Sequence, residues 1–279
     1  MSELPSTTRT LVRGLLRRRP GLIGHTIPRI EARTSGVRVD PGWLERYRSL
    51  TDDPPGDTLP GMAPQLLAGP LHAQILADKR MPIGVLGLVH VRQQIRQGRP
   101  LPADAPLDLE VWLEGHRPAR QGAELDIHTR VSLNGEPEWE GVTTALARGP
   151  WKDEHAASAP DELEALSDED EERWDVAEDI GRRWRRVAGD PNPIHLHRLL
   201  ARSFGFKAAI AHGTWLLARA LAHAQTPHRD VRIDARFRRP VFLPSHAAFR
   251  VQVLGQDTRF EVRDPLRDKV HLQGTTCSL

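Results

Sequence analysis

The stretch "AHGTWLLARALAHA", residues 211–224, reads as a helix without a polar face. Only Arg219 and the histidines interrupt a run that is otherwise apolar all the way round. Such a helix must be covered on most of its sides. The segments that follow supply the cover: "VRIDARF" (231–237), "RPVFLPSHAAFRVQVLG" (239–255) and "TRFEVRDPLRDKVHLQGTTCSL" (258–279). Among them Phe249, Val251 and Val253 alternate with polar residues at the period of a strand. The implied unit is a sheet curled around one central helix.

The same order occurs earlier in the chain. "PQLLAGPLHAQILAD" (64–78) is an apolar helix, followed by "VLGLVHVRQQI" (85–95), "RPLPADAPLDLEVWLEG" (99–115) and "AELDIHTRVSLNGEPEWEGVTTAL" (123–146). Leu109, Val111 and Leu113 alternate, and Asn134-Gly135 between two alternating runs is a strong two-residue hairpin signal. Both halves have an "RP…LP" loop, and they finish on "GVTTAL" and "GTTCSL". The expected fold is α+β, a double hot-dog of two antiparallel sheets, each wrapped around a central helix and paired edge to edge. Between the halves, "KDEHAASAPDELEALSDEDEERWD" is acidic and poor in apolar residues, as a linker is. The division is therefore 1–151 with a basic N-terminal arm, 152–175 as linker, and 176–279.

Composition narrows the class. The 279 residues suit two modules of ordinary size. No run approaches the roughly 18 apolar residues of a membrane span, and "TTRTLVRGLLRRRPG" lacks the apolar block and cleavage site of a secretory signal. The lone Cys277 allows neither an intramolecular disulfide nor a multi-cysteine metal site. A reducing, cytoplasmic setting is expected, with Cys277 facing the core. Net charge is only +2, yet from Val176 onward 18 Lys and Arg face 9 Asp and Glu, which points to an anionic ligand or partner. Nucleic acid ranks last, because the arginines come without a binding motif or aromatic platform.

The candidate chemistry lies in "AGDPNPIHLH", residues 188–197. A metal site, a helix cap and an acid–base pair compete for it. Asn192-Pro193 reads as N-cap and first helical residue, which predicts a helix through "PIHLHRLLARSFG" ending near Gly205. On such a helix His195 and His197 point about 200° apart, so they cannot share an ion, and no metal is expected. The capping reading uses Asn192 and Pro193 but leaves Asp190 and His195 without a role. A loop that folds back can aim both at one water, where a carboxylate and an imidazole divide acid and base duties near neutral pH.

The longer run "WRRVAGDPNPIHLHRLLARSFGFKAAIAHGTW" (184–215) closely resembles the signature of the MaoC-like dehydratases, which include R-specific enoyl-CoA hydratases. The matching positions are Trp184, Gly189-Asp190, Asn192-Pro193, His195, Gly205-Phe206, Ile210 and His212-Gly213, with "FRRPVFLP" (237–244) downstream. The match covers about 60 residues, and the first half lacks the block, as in two-module members in which a degenerate half completes the substrate tunnel. The resemblance implies that Asp190 and His195 are the catalytic pair for syn hydration of a trans-2-enoyl thioester and the reverse dehydration. It implies that Gly213, with His212 before it, meets the thioester oxygen, and that Asn192 supports the loop. Arg236, Arg238 and Arg239 are candidates for coenzyme A or carrier phosphate, although a solvated arginine face explains them equally well. No cofactor is implied, and the partner is an acyl-CoA or acyl-carrier-protein thioester bound by a monomeric pseudo-dimer or a homodimer. Three departures from the pattern are Ala188 for serine, Ala209 for proline and His197 for aspartate; none removes a catalytic group. Two other readings share the fold: an acyl-carrier-binding module without turnover, and a thioesterase.

Overall fold

The computed structural model describes residues 19–85, 88–149, 151, 166, 171–226 and 229–278. The first half contributes β1 (Ile30–Val37), α1 (Pro41–Thr51), α2 (Ala63–Leu67), α3 (Gly69–Ala77), β2 (Leu88–Gln97), β3 (Leu107–Leu113), β4 (Arg117–Ala119), β5 (Gly122–Leu133) and β6 (Glu136–Arg148). The second contributes β7 (Glu172–Val176), α4 (Ile180–Ala188), a 3-10 turn at Pro193–His195, α5 (Arg198–Ser203) and α6 (Gly213–His223). Strands β8 (Val231–Phe237), β9 (Ser245–Leu254), β10 (Asp257–Asp264) and β11 (Lys269–Ser278) complete it. All eleven strands join one sheet in the order β1-β3-β5-β6-β2-β8-β11-β10-β9-β7, with β4 beside β5. The halves meet at β2 and β8, antiparallel from Arg92 opposite Arg236 to Gln97 opposite Val231. This is the double hot-dog, and its two sheets do pair edge to edge.

Helix α6 is buried as its composition demands: Trp215, Leu216, Leu217, Ala218, Ala220 and Leu221 are all in the core. Each large apolar side chain so buried stabilises the fold by roughly 1.5–3 kcal/mol. The mostly buried Arg219 side chain lies over Trp174 and pairs with Asp52 at 2.5 Å. Part of the cover on α6 comes from the other half. Trp215 donates its indole N–H to the Leu50 carbonyl (2.7 Å), and Trp43 donates to that of Val187 (2.9 Å). Tyr47 packs its ring against Trp184 at 5.5 Å. Helix α1 therefore holds α4 and α6, the two helices that flank residues 189–212.

The Asn134-Gly135 hairpin forms as expected, with φ of 53° and 85° at its two central residues. Other expectations need correction. The helix over 64–78 is split at Ala68, because Pro70 starts a helix better than it continues one. The helix over 193–205 is also broken. The Ile194 carbonyl, which an α-helix would bond to residue 198, accepts from Ile210 N instead (3.0 Å). His197 then caps α5 by accepting from Leu199 N at 3.2 Å. The last four residues of the expected linker, 172–175, belong to β7, which pairs with β9. The basic arm and most of the acidic stretch lie outside the described residues. Cys277 is half-buried rather than core-facing. No described helix is long and apolar enough to cross a membrane.

The apolar interior of the first half holds a polar cluster. Gln65 donates to Thr143 Oγ1 (3.0 Å), Thr143 donates to Gln93 (2.8 Å), and His72 Nε2 meets Thr129 Oγ1 at 2.7 Å. Burial pushes His72 and His90 down to about 4 from an ordinary 6.5. Unfolded chains bind these protons at higher pH than the folded protein does. Stability is therefore complete above pH 6.5 and is lost progressively as pH falls from 6.5 towards 4, on the order of 3 kcal/mol for each histidine. Thermal melts should show Tm falling across that window. A Tm that stays level between pH 7.5 and 4.5 would contradict this account.

Candidate active site

Helix α4 presents Ile180, Trp184 and Val187 to the core and ends at Gly189, whose left-handed conformation (φ 66°) turns the chain sharply. Asp190 follows. Its Oδ1 accepts from Asn192 N at 2.9 Å, and Asn192 Oδ1 accepts from Ile194 N at 3.4 Å. These two side-chain turns fold the loop back, so that His195 sits beside Asp190 although five residues separate them. Asn192 thus has the supporting place expected of it.

His195 is buried and fixed. Its Nδ1 bonds to the Ile210 carbonyl at 2.9 Å, which in the neutral ring makes Nδ1 the proton carrier and leaves the Nε2 lone pair bare. Nε2 faces Asp190 Oδ2 at 3.8 Å. That is too long for a hydrogen bond, but it suits one water bonded to both. Burial lowers the His195 pKa, opposed by the Asp190 charge and by the bond to Ile210. The ring is accordingly neutral at physiological pH.

His212 is closer to the chemistry than sequence reasoning placed it. Its ring stacks on that of His195, centroids 3.7 Å apart, and its Nε2 is also 3.8 Å from Asp190 Oδ2. Both its ring nitrogens are buried without a hydrogen-bond partner. Burial, followed by the neighbouring His195, holds its pKa well below the usual value. Donor atoms of Asp190, His195 and His212 lie within 4.8 Å of one another, a spacing that could hold a metal. The ring geometry does not fit one. With only 22° between the planes, an ion lying in one ring's plane sits off the plane of the other.

Gly213 opens α6 directly after His212. Among the described residues its N–H has no protein acceptor; the first bonds back to His212 O come from Trp215 and Leu216. A free N–H at a helix start, aided by the helix dipole, suits a developing oxyanion. The position is held by main-chain bonds from Ala211 N to Val241 O (2.9 Å) and from Leu243 N to Ala209 O (2.9 Å). A side chain at 213 would press on Phe237, whose ring lies 3.0 Å from where a Cβ would be. Phe237 in turn packs at a tilt against His90 of the first half, ring centroids 4.5 Å apart.

Asp190, His195, His212 and Gly213 therefore converge. The arginines do not join them. Along β8, Ile233 and Ala235 face the core, so Asp234 and Arg236 project from the outer face of the sheet. Arg238 and Arg239 follow the strand end, both main-chain N–H groups directed at the His271 carbonyl. One essential neighbour was missed. A Cβ on Gly181 would stand 1.9 Å from the His195 carbonyl oxygen, so only glycine lets α4 pass so close to the turn that carries His195. The one available signal was a glycine inside an arginine-rich helix, where it costs about 1 kcal/mol relative to alanine.

A cavity of about 440 Å³ adjoins this segment. Asn192, Ile194, Phe204 and Phe206 form one wall, and first-half residues including Leu88 and Trp151 form another. It touches the 190–195 loop through Asn192 and Ile194 and is built by both halves.

Residues 167–274 match the family described as MaoC like domain. The match lies in the second half of the chain and spans Asp190, His195, His212 and Gly213. The chain is 28% identical over 242 residues to 3-hydroxyacyl-thioester dehydratase X of Mycobacterium tuberculosis, covering 86% of both sequences. The crystal structure of that organism's HtdX superposes with a TM-score of 0.78 at 27% identity, over 90% of this chain and 100% of that one. A MaoC-like dehydratase from Phytophthora capsici shares the fold, with a TM-score of 0.73 at 16% identity over 90% of this chain and 95% of its own.

Proposed function

We propose that the protein is a hydro-lyase that reversibly dehydrates (R)-3-hydroxyacyl thioesters to trans-2-enoyl thioesters. The observation that carries this reading is the 3.8 Å gap between Asp190 Oδ2 and His195 Nε2, each with its other polar atom already bonded within the protein. The relative named as a 3-hydroxyacyl-thioester dehydratase supports the substrate class.

In hydration, one water donates to both groups. Its oxygen bonds to Cβ, and the C=C electron pair moves onto the thioester oxygen, where Gly213 N–H meets the enolate. The proton released by the water is held by the Asp190–His195 pair and then delivered to Cα. Both parts of the water thus arrive on one face. Dehydration runs the same steps backwards, with the pair taking the α-proton and returning it to the departing hydroxyl. No cofactor takes part. Catalysis comes from a positioned acid–base pair and a preorganised N–H.

The assay is loss of the enoyl absorbance of crotonyl-CoA, run beside a free-thiol reagent. Loss of the chromophore without thiol release is expected. Thiol release would make the protein a thioesterase, and binding without turnover would make it a carrier-binding module.

The pH dependence follows from the neutral His195. Its pKa is depressed, so kcat/KM for hydration should hold steady as pH falls through the ordinary histidine range near 6.5 and decline only at more acidic pH. A rate that rises as pH drops through 6.5 would mean that the imidazolium is the working form, contrary to this account.

A further inference from the structure

We infer that the surface formed by α4 and α5 docks an acidic acyl carrier protein, an inference that rests on the thioester reading above. Between residues 180 and 207 there are seven arginines and lysines and a single carboxylate, Asp190, in a chain whose net charge is only +2. Arg182, Arg183, Arg185 and Arg186 are all exposed along α4, on the side away from buried Trp184 and Val187. Arg198 and Arg202 are exposed on α5. Of these, Arg183 reaches Asp179 at 4.0 Å, and Arg182 reaches the Leu196 carbonyl at 3.4 Å. Arg185, Arg186, Arg198 and Arg202 have no carboxylate partner among the described residues. A charge field of this kind is normally interleaved with acids; among the described residues only Asp179 reaches into this one.

The same surface is apolar where a soluble helix should be polar. Leu199 is 63% exposed, Leu200 47% and Phe204 41%, three of the seven large apolar side chains exposed among the described residues. Three such side chains within six residues, with Arg198, Arg202 and Lys207 exposed among and beside them in the chain, have the make-up of an interface, an apolar centre with a charged rim. The nucleotide of coenzyme A explains the cations but not the leucines. An acidic helical protein surface with apolar side chains at its centre explains both. Position agrees as well: Phe204 also lines the cavity that reaches Asn192 and Ile194, so a carrier seated on α5 holds its phosphopantetheine arm at the entrance.

The test uses one acyl group, crotonyl, on three carriers: a discrete acyl carrier protein, coenzyme A and N-acetylcysteamine. The wild-type protein is compared with Arg198→Glu/Arg202→Glu and, separately, with Leu199→Ser; all three residues are exposed, and none belongs to the Asp190–His195 pair or lines the cavity. Both variants should raise KM for the carrier-protein substrate by about tenfold or more, because rim charges govern encounter and its salt dependence. Turnover of the N-acetylcysteamine thioester should be unchanged. An equal rise in KM for the coenzyme A substrate in the charge variant, with Leu199→Ser silent, would overturn the inference in favour of a phosphate site. Binding of wild type to vesicles containing anionic phospholipid, lost in both variants while carrier kinetics stay the same, would overturn it in favour of a membrane surface. Failure of wild type to turn over even the N-acetylcysteamine thioester would strike the enzymatic reading instead. The docking surface is then decided by titration of the holo carrier protein, which should bind wild type and not the charge variant; equal binding to both would overturn it.

Discussion

Asp190→Asn and His195→Gln each lower kcat for enoyl-thioester hydration by about 10²–10⁴-fold, the contribution of a positioned acid or base. Because the two groups grip one water, they act as a unit, and the double variant is little slower than the poorer single one. Folding survives these changes. The Asp190 side chain is 41% exposed on a loop, and His195→Gln keeps a polar side chain of similar reach. Steady-state kinetics of the three variants, beside their melting temperatures, check the claim. Near-wild-type hydration by either single variant, or multiplication of the two losses in the double, would contradict the shared-water geometry.

Gly181→Ala has the next largest expected effect, although residue 181 touches no substrate. Its new methyl group meets the His195 carbonyl at 1.9 Å, and both atoms belong to main chain that cannot swing aside. Overpacking of this kind typically costs about 1–3 kcal/mol. For a chain of this size that lowers Tm by several degrees. The movement forced on His195 also opens its gap to Asp190, and a displacement near 1 Å can cost on the order of 10²-fold in rate. Loss of kcat together with Tm is therefore expected, with KM changing less. A variant that melts and turns over as wild type does would show that α4 and the catalytic turn are not in contact.

The sequence revealed what periodicity and turn chemistry control. The all-apolar helix at 211–224 and the alternating strands defined each half, and the repeated order of elements defined the pair. Asn134-Gly135 located a hairpin because its geometry is local. What escaped depends on partners remote in the chain. The helix expected from Pro193 onward fails because Ile210 takes the Ile194 carbonyl, a bond that sequence spacing cannot reveal. Helix α1 was not foreseen, since its tie to α6 is a contact between Leu50 and Trp215, 165 residues apart. The site shows the same division. Asp190, Asn192 and His195 stand out because they are close in sequence and chemically unusual together. The stacking of His212 on His195 and the clearance at Gly181 exist only once the loop has folded back. Arg236 is separated from the pair by local geometry: strand alternation puts it on the outer face of the sheet.

The account's central claim is that one water, held between Asp190 and His195, delivers both its oxygen and its proton to the same face of the double bond. Hydration of crotonyl-CoA in deuterium oxide, with analysis of the 3-hydroxybutyryl product by NMR, tests this most directly. The account predicts (R) configuration at Cβ and a single deuterium at Cα placed by syn addition with respect to the new hydroxyl. Deuterium delivered anti, or scrambled over both Cα positions at early conversion, would contradict it.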